Sequence, residues 1–135
     1  MASRRPLRAT PSDGSSLQDN VEAVQGKLVM ADCGSLTDAM AGFGAGPNCV
    51  GTTLYTNARP RMGSDFDLVE ELVQESPVPV IAEGRIRTPE DFRRCLELGA
   101  FAVVVGTAIT HPTTITRNFA ASAAAGRPSH YRRCA

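Results

Sequence analysis

Two runs of β-branched residues constrain this chain most. Val78-Pro79-Val80-Ile81-Ala82 runs into Glu83-Gly84-Arg85, and Ala102-Val103-Val104-Val105 runs into Gly106-Thr107. Between them Thr88 can cap a helix that Pro89 opens, where the missing N–H is harmless, and Gly99 stops it. Strand, loop, helix and strand in that order make a βαβ unit. Strands apolar on both faces suit a parallel sheet covered by helices. A glycine at each of two neighbouring strand tips lets the backbone approach a ligand and aim N–H groups at it, which suits a phosphate. The carboxylate of Glu83 would stand at the mouth of the same site.

The rest of the chain repeats this unit. Residues 1–16 read as a polar tail without period, carrying Arg4, Arg5 and Arg8 but no apolar run of a secretory signal. Leu17 to Gln25 reads as a helix that Gly26 ends. Leu28 to Asp32 reads as the first strand, with Asp32 at its tip. Ser35 caps a helix whose apolar face is Leu36, Ala39, Met40 and Phe43. Cys49 to Leu54 is the second strand and Tyr55 to Gly63 a loop. Ser64 or Asp65 caps a third helix with Val69, Leu72 and Val73 inward. The third strand is Val78 to Ala82, and the fourth helix turns Phe92, Cys95 and Leu96 inward. Phe101 to Val105 is the fourth strand. Pro112 opens a last helix with Ile115 and Phe119 on one face, and residues 126–135 read as a second tail.

Four strand–helix units in series predict a parallel α/β sheet. Polar residues or glycines at the strand tips favour half of a (βα)8 barrel, spanning residues 17–125, over an open doubly wound sheet. A whole barrel needs at least ~200 residues, and the chain has 135. A half barrel would leave two parallel edges unpaired, which invites another chain and would allow a homodimer.

Charge and composition narrow the function. Formal net charge is +0, aromatics are 5% and there is no Trp, which argues against nucleic acid or an anionic membrane surface as partner. No apolar run approaches the ~20 residues of a bilayer span. Cys33, Cys49, Cys95 and Cys134 lack metal-site or CxxC spacing, and the first three read as small buried hydrophobes of a reducing compartment, the cytoplasm. No metal cluster and no Ser–His or Cys–His pair stands out. Taken alone, Asp32 reads as a turn or capping residue, Arg87, Arg93 and Arg94 as surface cations, and His111 either as a helix cap or as a ligand.

Four blocks in series then carry a resemblance. They are Leu28-Val29-Met30-Ala31-Asp32-Cys33, Val50-Gly51-Thr52-Thr53-Leu54, Val80-Ile81-Ala82-Glu83-Gly84-Arg85 with Thr88-Pro89, and Ala102 to Thr110. From about Gln25 to Phe119 their order and spacing resemble the C-terminal half of the N-acetylmannosamine-6-phosphate 2-epimerases. The resemblance implies a (βα)8 barrel without a redox cofactor or metal. It implies interconversion of N-acetylmannosamine 6-phosphate and N-acetylglucosamine 6-phosphate in amino-sugar breakdown, by removal and return of a proton at C2. By the same resemblance Glu83 is the acid–base partner of a lysine base and Asp32 helps set the polar site. Gly84, Arg85, Gly106 and Thr107 hold the phosphate, with His111 as a further phosphate ligand where the family commonly has an arginine. The family's lysine lies on an early strand outside these blocks. The one lysine here, Lys27, precedes a strand and so lies roughly 15–20 Å from the tips at ~3.3 Å per residue. The alternative reading is therefore a phosphate-binding half barrel without turnover.

Overall fold

The computed structural model describes residues 16–24, 26–52 and 66–126. The expected loop over 55–63, the caps Ser64 and Asp65, and nearly all of both expected tails lie outside the described residues, as do Thr53, Leu54, His130 and Cys134. The elements are α1 (Leu17–Ala23), β1 (Met30–Cys33), α2 (Leu36–Phe43), β2 (Cys49–Thr52), α3 (Phe66–Glu75), β3 (Val80–Glu83), α4 (Pro89–Glu97), β4 (Ala102–Val104), α5 (Thr107–Thr110) and α6 (Pro112–Gly126).

Local chemistry starts the helices. Ser16, expected in the tail, caps α1: its hydroxyl accepts the Asp19 N–H at 3.1 Å while its own N–H donates to the Asp19 carboxylate at 2.7 Å. Ser35 accepts the Asp38 N–H at 3.1 Å and starts α2. Thr88 and Asp91 form a second reciprocal box at α4, with Pro89 at the first helical position. The Asp91 carboxylate also takes the Arg87 N–H at 3.0 Å, which ties the loop after β3 to the helix that follows.

The four strands lie in the order β1-β2-β3-β4, all parallel. Each strand pairs with the next in sequence, and α2 packs on α3 and α3 on α4, so these three helices cover one face. Sequential order with helices on one face is the winding of a (βα)8 barrel; a doubly wound sheet reverses strand order and puts helices on both faces. The expected half-barrel fold is therefore the observed one.

The core lies between sheet and helices. Ala31, Cys33, Val50, Val80 and Ala82 point at the helices and bury against Ala39, Val69, Leu72 and Cys95. Alternation then turns Met30, Asp32, Gly51, Ile81, Glu83 and Val104 to the opposite, open face. Met30 and Val104 are 44% and 42% exposed there. Burial pushes the Cys33 thiol from 9.0 up to about 12, with help from the Asp32 and Asp38 charges, and its Sγ donates to the Gly51 carbonyl at 3.1 Å. The Cys95 thiol is raised too, by burial and then Asp91. Both are packing groups, while Cys49 is half-buried.

Several expected boundaries shift. The third strand begins at Val80 and includes Glu83, because Pro79 has no N–H for the ladder. Helix α2 buries Ala39 and Gly42 and leaves Met40 52% exposed, since the small pair permits close approach to the sheet. Phe92 (38%) and Leu96 (44%) are exposed rather than inward, and Phe119 on α6 is 75% exposed, as the last helices have fewer described neighbours to bury against. Residues Thr107–Thr110, between the expected fourth strand and the expected last helix, form the short helix α5, because the Gly106 carbonyl collects the Ile109 and Thr110 N–H groups at 2.9 and 3.1 Å.

One glycine tests this packing. Gly99 sits at φ +100°, and a Cβ there would lie 2.8 Å from Cγ1 of Val73 on α3. Gly99→Ala is expected to destabilise the fold by about 1–3 kcal/mol, from the left-handed backbone and the overpacked contact. A shift of the urea midpoint at unchanged slope measures it; wild-type stability would contradict the contact.

Candidate functional site

The open face and the strand tips meet at the C-terminal rim. Glu83 is the last residue of β3 and pairs in register with Val104, the last of β4. Gly84 follows one strand and Gly106 lies two residues past the other, so the two glycine corners are neighbours. Between them opens a cleft of about 660 Å³ lined by Glu83, Gly84, Arg85, Gly106, Thr107 and Ala108, with Arg87 at the side. Its far wall is α6, through Thr114, Arg117 and Asn118.

Thr52 sets the Glu83 end of the cleft. The β2–β3 ladder is recorded at Val50–Val80 and Gly51–Ile81. At the next rung the Thr52 hydroxyl replaces the backbone, donating to the Glu83 carbonyl at 2.9 Å and accepting the Glu83 N–H at 2.9 Å. Thr52 is 2% exposed, the one polar side chain buried among the described residues. Both backbone groups of Glu83 are thus held, while its carboxylate is turned to the open face.

The chain then turns sharply. Gly84 takes φ +113° and Arg85 φ +46°, the one described non-glycine residue at positive φ. A left-handed arginine costs about 1–2 kcal/mol of backbone strain. Such strain survives where the surrounding structure demands it, commonly at a binding site. Here it brings a half-buried guanidinium to the cleft.

Five of the seven residues singled out from sequence share this cleft: Glu83, Gly84, Arg85, Gly106 and Thr107. Asp32 does not. It is exposed on the open face, where its Oδ1 lies 3.6 Å from the position of a Cβ on Gly51. The pairing puts it level with Gly51 and Ile81, two strands from β3 and two residues below Glu83. At about 4.8 Å per strand and about 3.3 Å per residue, the Cα atoms of Asp32 and Glu83 are about 12 Å apart. The expected tip position fails because β1 continues to Cys33. His111 also stands outside the cleft lining. Its Nδ1 lies 2.9 Å from the Thr114 hydroxyl and accepts the Thr114 N–H at 3.3 Å, the geometry of a cap on α6.

Arg87, Thr114, Arg117 and Asn118 were missed. For Arg87 the signal was available: it lies two residues beyond Arg85 on a loop leaving a strand tip. The α6 residues carried none, because their position depends on how that helix follows α5 at the rim. Arg93 and Arg94 face outward and approach Glu97 at 3.6 and 3.8 Å. Lys27 is exposed at the opposite end of the sheet, before β1. Three guanidiniums and one carboxylate therefore line the cleft, an arrangement that can hold an anion beside a proton-transferring group. No described helix is long and apolar enough to cross a membrane.

Comparison with known proteins meets this geometry. Residues 5–125 match the NanE family model, described as "Putative N-acetylmannosamine-6-phosphate epimerase", so the match begins inside the stretch expected to be tail. A Cutibacterium acnes protein named "Putative N-acetylmannosamine-6-phosphate 2-epimerase" is 50% identical over 117 residues, 81% of this chain and 51% of its own length. A Clostridium perfringens protein of the same name is 45% identical over 112 residues, 79% of this chain and 51% of its own. The solved structure of the N-acetylmannosamine-6-phosphate 2-epimerase from Clostridium perfringens superposes with a TM-score of 0.76 at 42% identity, over 82% of this chain and 51% of that one. A thiamine phosphate pyrophosphorylase from Pyrococcus furiosus, 19% identical with a TM-score of 0.59, shares the fold. The chain spans about half the length of the curated relatives it matches.

The Thr52 hydroxyl carries the next prediction. Thr52→Val keeps the shape and strands the Glu83 N–H and C=O. It should cost about 1–3 kcal/mol of stability, and Thr52→Ser should recover most of it. Chemical denaturation of the three proteins measures the difference; a valine variant as stable as wild type would contradict the hydroxyl rung.

Proposed function

The chain belongs to the N-acetylmannosamine-6-phosphate epimerase family, and from that premise we propose that its cleft serves the interconversion of N-acetylmannosamine 6-phosphate and N-acetylglucosamine 6-phosphate. One observation carries the reading: a carboxylate, Glu83, borders the same cleft as two glycine corners and three arginines. In the open-chain sugar C2 is next to the aldehyde carbon. Its proton leaves to a base, the electron pair spreads as an enolate-like intermediate, and a proton returns to the other face. That chemistry needs an acid, a base and a fixed anion.

Under this reading Gly84, Arg85, Gly106 and Thr107 grip the phosphate, an anchor remote from C2 whose binding energy orients the reacting carbon. Glu83 exchanges the proton. Asp32, on the same open face but about 12 Å away at the strand spacings above, would act on the far end of the sugar. The cap geometry of His111 leaves the phosphate to the arginines. A soluble sugar phosphate accords with a cytoplasmic setting and amino-sugar catabolism, and the outer edges of β1 and β4, unpaired among the described residues, accord with association into a dimer.

A second reading rests on Lys27. It is the chain's one lysine and stands at the wrong end of the sheet. On that reading the cleft binds the sugar phosphate without turnover.

Deuterium exchange separates the two. The chain is incubated with N-acetylmannosamine 6-phosphate in deuterated water and the C2 proton followed by NMR. The epimerase reading predicts loss of that signal, slowed about 10²–10⁴-fold by Glu83→Gln. Absence of exchange with the wild-type chain, with binding retained, would support the second reading instead.

A further inference from the structure

Helix α6 lies outside the glycine corners, yet it forms one wall of the cleft. Thr114, Arg117 and Asn118 stand at i, i+3 and i+4, so one helical face is turned to the site. The helical face that carries Arg117 therefore follows from the helix itself. Among the described residues Arg117 has no ion-pair partner, unlike Arg93 and Arg94, which reach Glu97 at 3.6 and 3.8 Å. Thr114 is occupied by His111, whose ring caps the helix at 2.9 Å. The two side chains left to a ligand on this face are a guanidinium and a carboxamide.

We propose that Arg117, with Asn118 beside it, is the second half of the anion grip: it closes over a phosphate monoester from the α6 side, opposite Gly84 and Arg85. The inference rests on the phosphate reading of the cleft and adds to it a residue that neither the glycine corners nor the strand tips supply. Charge and reach both fit this role. Arg85 and Arg87 line the cleft from the loop after β3, and Arg117 lines it from a separate element. A planar guanidinium can give two parallel hydrogen bonds to a phosphate, which an ammonium cannot. A phosphate dianion held between opposed guanidiniums is neutralised from both sides, while Glu83 keeps the sugar end clear for proton transfer. The His111 ring, engaged at the helix start, is not needed for the grip.

Calorimetric titration with inorganic phosphate at low salt tests it. Arg117→Ala is expected to weaken phosphate binding about 10-fold, Arg117→Lys by less, and Arg93→Ala not at all. Arg117 is exposed, so its variants should melt like wild type; Arg117→Gln repeats the test with a longer neutral side chain. Arg117→Ala and Arg117→Gln binding phosphate within twofold of wild type, while Arg85→Ala loses it, would overturn this inference and leave the phosphate reading intact. A wild-type chain that binds no phosphate would overturn both.

Discussion

The site depends on a hydroxyl that stands in for a rung of the sheet. Where the β2–β3 ladder ends, the Thr52 side chain takes both the N–H and the C=O of Glu83, each at 2.9 Å. A buried backbone pair left open at that point would cost as much as a lost core contact. The hydroxyl meets that need at the last residue before the chain turns away. It holds the backbone from beneath, so the Glu83 carboxylate is aimed by two hydrogen bonds that leave its own oxygens free for chemistry. The turn through Gly84 and Arg85 starts from this fixed point, and β4 is in register with it through Val104.

Around that point the fold concentrates opposing demands. Arg85 is held in a backbone conformation that glycine would take more easily. Stability alone would favour glycine there; the position instead carries a guanidinium. Glu83 is the one acid among the four charged residues that line the cleft. A rim with that balance suits an anion beside one proton carrier, the combination that the proposed proton transfer on a phosphorylated sugar would use.

Much of this could be read from residue order. The β-branched runs ending on glycine set β3, β4 and the rim, and with them Glu83, Gly84, Arg85, Gly106 and Thr107. Series of strand–helix units implied sequential pairing. What could not be read depended on register and on distant packing. Whether Asp32 reached the tip turned on where β1 stops, and one further residue, Cys33, leaves it inside the strand. Thr107 to Thr110 favour a strand by their branching, yet the Gly106 carbonyl gathers them into a helical turn. The place of Arg117 at the cleft depends on where α6 lies after α5, which no local pattern sets. Local chemistry, the caps at Ser35 and Thr88 above all, was legible because each rests on residues three apart.

The central claim is that an anion binds between the tips of β3 and β4, beside Glu83. The most direct measurement is a titration of the isotope-labelled chain with inorganic phosphate, read at the backbone amides by NMR. Saturable shifts are expected at Gly84, Arg85, Gly106 and Thr107, with Lys27, Gly46 and Gly99 at the opposite rim unmoved. Shifts centred on that opposite rim, or none at the glycine corners, would contradict it.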